Sequence, residues 1–116
     1  PGGLLLAIHN NSEGYSIRDE LPISDETSVP QPDSPHEFFL VTDRADFAQL
    51  ATSPYNVVLQ ASGIEADDGS LSRLTARQGV RYVNLEVGLG KRGIQAEMLK
   101  YLESRLPVTR QPGDSN

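Results

Sequence analysis

Tyr82-Val83-Asn84-Leu85-Glu86-Val87, followed by Gly88-Leu89-Gly90, decides how the chain is read. Along a strand successive side chains point to opposite faces, so Val83, Leu85 and Val87 share one face while Tyr82, Asn84 and Glu86 share the other. The first face is wholly apolar and belongs against a core. The second ends on a carboxylate at the strand's carboxyl end, just ahead of two glycines. Open α/β sheets place their ligand crevices there, which makes Glu86 a candidate site residue.

Working outward, Leu4 to Ile8 is a continuous apolar run after Gly2-Gly3 and reads as a strand buried on both faces, with His9 at its carboxyl end. Phe38 to Val41 reads as another strand. Asp43 is placed to cap a helix that buries Phe47, Leu50 and Ala51 and stops before Pro54, and Asn56 to Gln60 is a third strand. Ser70 would cap a short helix with Leu71 and Leu74 inward, closed at Gly79. Ile94, Met98, Tyr101, Leu102 and Leu106 fall at helical spacing until Pro107 ends the pattern. Residues 16–36 hold four of the eight prolines and five acidic residues against one Arg, and read as a long acidic loop, a candidate lid. The expectation is an α/β fold: a mixed or mostly parallel sheet of about four strands flanked by helices, over residues 1–106, with a loose tail at 107–116. Four strands leave an edge that needs a cover.

The 116 residues suffice for one core. A net charge of −6 and a pI near 4.7, with no Lys/Arg run, argue against a nucleic-acid partner. The absence of Cys leaves His and carboxylates as the residues that would hold a metal. No stretch approaches the roughly 20 apolar residues of a membrane span. The chain opens at Pro1 without Met or a basic-then-apolar leader, so a piece with further sequence upstream is expected.

His9 holds the same strand-end position as Glu86. If the two strands are parallel neighbours, an imidazole and a carboxylate converge on one rim of the sheet. Taken singly, each has an ordinary reading: His9 as a hydrogen-bonded histidine, Glu86 as an ion-pair partner.

Short motifs add to this. Ile8-His9-Asn10-Asn11 with Gly14-Tyr15-Ser16 resembles the strand end of zinc carboxypeptidases that supplies their second metal-binding histidine. Gln60-Ala61-Ser62-Gly63, Gly69-Ser70 and Gln78-Gly79-Val80-Arg81-Tyr82 resemble the run leading to that family's catalytic glutamate. Leu85-Glu86-Val87-Gly88 resembles the matching stretch of the aspartoacylase and succinylglutamate desuccinylase deacylases. The resemblance spans Leu4 to Leu106, and the 77-residue separation of His9 from Glu86 is similar to the family's.

The resemblance implies the C-terminal part of a zinc-carboxypeptidase-like three-layer domain acting on a peptide or small amide substrate. It assigns His9 to the metal, Glu86 to general-base catalysis, and Asn10 and Asn11 to the substrate groove. Zinc held by two His and a Glu lowers the pKa of its bound water to about 7, and a neighbouring carboxylate takes the proton.

The chain departs from the pattern in three ways. It has no His-x-x-Glu, the family's first ligand pair, so that pair would come from an upstream segment of the same protein. His36-Glu37 has the wrong spacing and is expected in solvent. Leu59 stands where carboxypeptidases carry a Tyr, and Arg73, Arg77 and Arg81 match no carboxylate clamp. Lys91 and Arg92, ahead of the last helix, are expected to face solvent or an acidic partner. The competing expectation is a non-catalytic relative that keeps the fold for binding or assembly.

Overall fold

The computed structural model describes residues 4–11, 14–61 and 81–106. Among these residues five strands form one mixed sheet: β1 (Leu4–Asn11), β2 (Glu26–Ser28), β3 (Phe38–Val41), β4 (Asn56–Leu59) and β5 (Arg81–Gly88), in the order β1-β5-β3-β4-β2. The pairs β1/β5 and β3/β4 are parallel, and β5/β3 and β4/β2 are antiparallel. Helix α1 (Ile17–Glu20) is one turn and runs into a 3-10 turn over Leu21–Ile23, while α2 (Arg44–Ala51) and α3 (Arg92–Arg105) are longer.

The sheet separates two apolar clusters. On one face Phe39, Val41, Val57, Leu59, Val83, Leu85 and Val87 meet Phe47 and Leu50 of α2 and Met98 and Leu102 of α3. On the other, Phe38, Leu40, Val58 and Tyr82 are covered by Ile17, Tyr15, Leu21 and Val29. The central strands β3 and β4 are buried along their whole length, as continuous apolar runs require. Asp43 caps α2 by accepting from the Asp46 N–H at 3.0 Å, and its helix ends at Ala51, ahead of Pro54. Gly90 turns the chain from β5 into α3 at φ +82°, a conformation that L side chains rarely adopt.

Three expectations change. The sheet has a fifth strand, β2, because residues 16–36 are a packed layer and not a free loop. Ile17 is 1% exposed, β2 pairs with β4, and the buried Asn56 amide binds the backbone of Gln31, Ser34 and Glu37. Gln60 fastens the same layer through Glu20 and Ser24. These polar anchors replace the apolar residues whose scarcity suggested a loop or lid. The second change is β1, which lies at the sheet's edge among the described strands with Leu5 and Ile8 exposed, and is not buried on both faces. The third is β1's length, since pairing with β5 continues past Ile8 to Asn11. The helix expected after Ser70 and the tail at 107–116 lie outside the described residues.

Candidate functional site at the β1/β5 rim

The parallel register of β1 and β5 makes His9 the Cα partner of Glu86 and Asn11 that of Gly88. With a two-residue period, Ala7, His9 and Asn11 therefore share a face with Tyr82, Asn84 and Glu86. Because β3 runs antiparallel to β5, its beginning lies at the same rim: Phe38 pairs with Glu86, and His36 and Glu37 arrive just before it. Three segments distant in sequence thus meet at one polar rim.

Glu86 is the cluster's buried centre. Its side chain is 7% exposed, and the His9 Nδ1 lies 3.5 Å from its Oε2, while the His9 side chain is 55% exposed. The imidazole therefore stands between the carboxylate and solvent. Asn11 Nδ2 donates to Glu86 Oε1 at 3.0 Å, and Asn84 Nδ2 donates to Oε2 at 2.7 Å. A carboxylate is an acceptor only, and two amide N–H donors satisfy both of its oxygens in this buried place.

His36 is half-buried, not in solvent as expected from its polar, proline-rich surroundings. Its Nδ1 lies 3.0 Å from Asn11 Oδ1 and 2.8 Å from the Tyr15 carbonyl. Glu37 is 7% exposed, accepts from the Gly88 N–H at 3.2 Å, and lies 3.7 Å from Lys91 Nζ. Lys91 thus has an acidic neighbour within the chain. A Cβ on Gly88 would sit 3.2 Å from Glu37 Oε2, so glycine allows this close approach. Burial first, then the charge of Glu86, push the Tyr82 hydroxyl above the ordinary tyrosine range.

Of the residues singled out from sequence, His9, Glu86 and Asn11 come together and Asn10 does not. The alternation along β1 turns Asn10 to the opposite face, where its Nδ2 donates to Gln95 of α3 at 3.0 Å. Asn84, His36 and Glu37 were missed. Asn84 was legible in principle, two residues before Glu86 on the same face. The other two needed the antiparallel placement of β3, for which the sequence carries no local signal.

Among the described residues no three His, Asp or Glu side chains are placed to hold a metal ion. Catalytic zinc takes three protein ligands and an open position. The residues described here do not by themselves fit zinc: His9 offers one ligand, and the others would have to come from elsewhere. A cavity of about 140 Å³, lined by Gln31, Ser34, Glu37, Tyr55, Asn56, Ile94 and Glu97, borders Glu37. It is smaller than the roughly 300–1,000 Å³ of small-molecule pockets.

No protein-family model matches the sequence, and neither a curated protein nor a solved structure matches the chain. No helix among the described residues is long and apolar enough to cross a membrane.

Proposed function

We propose that this chain supplies part of the active site of a zinc-dependent hydrolase of peptide or amide bonds, carboxypeptidase-like or deacylase-like in its three-layer fold, with the remaining metal ligands on an upstream segment. The observation that carries the reading is the pairing of His9 with Glu86 on parallel strands at the carboxyl rim of the sheet, with Nδ1 and Oε2 3.5 Å apart.

In this reading Glu86 accepts the proton of a water that attacks the amide carbonyl and returns it to the leaving amine. Its two amide donors hold the carboxylate in place, and His9 would be one of the metal's ligands, at the exposed side. Asn11 is buried, and its amide already donates to Glu86 and to the His36 carbonyl, so in this reading it holds the carboxylate. Asn10 has no part in the site.

The test uses the intact protein with its upstream segment and a panel of unblocked peptides and N-acyl amino acids. Glu86→Gln should lower kcat by about 10²- to 10⁴-fold with zinc content unchanged, whereas His9→Ala should lower zinc content itself. Retention of wild-type turnover by a folded Glu86→Gln variant sinks the proposal. The described chain without that segment should bind zinc weakly and hydrolyse nothing. Tight stoichiometric zinc binding that survives His9→Ala would mean that other residues are the ligands.

A second reading, a non-catalytic relative that uses the rim for binding or assembly, is favoured by one observation: both Glu86 oxygens already accept hydrogen bonds, as a structural carboxylate's would. An intact protein that lacks hydrolysis and holds no zinc fits that reading instead.

A further inference from the structure

Glu86 is the middle of a row of five side chains, His9, Asn84, Glu86, Asn11 and His36. Asn84 Nδ2 and Asn11 Nδ2 donate to its two oxygens, at 2.7 and 3.0 Å. Each amide turns its own oxygen to an imidazole: Asn84 Oδ1 is 2.6 Å from His9 Nδ1, and Asn11 Oδ1 is 3.0 Å from His36 Nδ1.

The oxygen and nitrogen of an asparagine amide have nearly the same shape, so their assignment rests on the surrounding partners. Those partners are decisive here. An ionised carboxylate only accepts, so an NH2 group must face Glu86 on both sides, which turns both amide oxygens toward the histidines. An amide oxygen also only accepts, so the ring nitrogen opposite it must carry the proton. The backbone gives an independent check, because it cannot be flipped. Asn11 Nδ2 also donates to the His36 carbonyl at 2.9 Å, and His36 Nδ1 also faces the Tyr15 carbonyl at 2.8 Å.

We infer that Asn84 and Asn11 are positioning residues that hold His9 and His36 in the tautomer protonated on Nδ1, so that the lone pair His9 offers a proton donor lies on Nε2. The tautomer stands on geometry, and only the use of that lone pair rests on the proposed hydrolase. Which nitrogen of a histidine binds a ligand is set by the hydrogen bond the other one makes, and here that bond is made on Nδ1. The His9 ring is exposed enough for a partner to reach it.

The experiment is nitrogen NMR of the imidazole rings in the metal-free chain, at a pH alkaline enough for both to be neutral. The sequence has two histidines, so His36→Gln assigns the signals. Both rings should show a protonated Nδ1 and an unprotonated Nε2, distinct from the averaged pair of a freely exchanging ring. Asn84→Leu should collapse the His9 pair toward averaged values and leave His36 unchanged. A wild-type His9 that is averaged or protonated on Nε2 overturns the inference, and so does a folded Asn84→Leu variant with unchanged His9 signals. Failure of the intact protein to hydrolyse amides would remove the proposed function and leave this result standing.

Discussion

The Arg81 guanidinium and the Asp46 carboxylate meet through two parallel hydrogen bonds, Nε to Oδ2 at 3.0 Å and Nη2 to Oδ1 at 2.9 Å. They tie the first turn of α2 to the start of β5, at the end of the strand opposite Glu86. Paired geometry of this kind is the strong form of an ion pair. The Asp46 side chain is 5% exposed and that of Arg81 32%.

Removal of Asp46 should therefore be costly without disturbing the candidate site. Asp46→Ala is expected to lower stability by about 2–3 kcal/mol, below the roughly 3–5 kcal/mol of fully buried pairs because Arg81 keeps part of its hydration. Chemical denaturation measures the loss. Unchanged histidine NMR signals would confirm that the rim is intact, and a loss under about 0.5 kcal/mol would place the pair with ordinary surface bridges.

Glu86→Gln is not structurally neutral. The carboxylate accepts from two amides, whereas a glutamine offers one oxygen and one NH2, so Asn11 or Asn84 loses its acceptor or turns over. A buried donor without a partner costs about 1–3 kcal/mol, and a thermal melt should record a loss of that size. Glu86→Gln with wild-type stability would mean that the two amides are not both bound to the carboxylate in solution.

Tyr15 gives a pH dependence whose sign is fixed. Burial, then its hydrogen bond to Glu20 and the charges of Glu20, Glu86 and Asp19, raise its pKa above the ordinary value. Above pH about 10 the unfolded chain gives up this proton while the native state keeps it. Its stabilising contribution is complete below that pH and is lost as pH rises toward the folded pKa. Denaturant melts at increasing pH from about 9 to 11 should show falling stability, with a shallower fall in Tyr15→Phe. Equal slopes in the two proteins would contradict the assignment. Tyr82 and Tyr55, whose pKa values are also raised, contribute to the slope that remains.

Two leucines near opposite ends of α3 should behave differently. Leu102 is 0% exposed in the main cluster, whereas Leu89, in the turn before the helix, is 67% exposed. Leu102→Ala should cost about 2–5 kcal/mol and Leu89→Ala within about 0.5 kcal/mol. Similar losses for both, measured by the same denaturation, would show that Leu89 packs against something in solution.

Much of the fold was legible because its signals are local. Apolar continuity marked β3 and β4, Asp43 and Pro54 bracketed α2, and helical spacing from Ile94 to Leu106 marked α3. The alternation in β5 separated its core face from the face that carries Glu86. Residues 16–36 were read less well, because their order comes from Asn56 and Gln60, polar side chains whose partners lie on other elements. The apolar run of β1 suggested two buried faces, but burial depends on neighbours, and β1 has one neighbouring strand among those described.

The sequence by itself determined that His9 and Glu86 each stand near the carboxyl end of a strand, since strand periodicity and the flanking residues are properties of adjacent positions. Only the tertiary structure decided that the two strands lie side by side in parallel register, that Asn10 turns away while Asn11 turns in, and that β3 brings His36 and Glu37 to the same rim. The reason is that the polar cluster depends on distances between residues up to 77 positions apart, as His9 and Glu86 are. Those distances follow from which strands pair and in which direction, and that choice is made by the packing of the whole sheet.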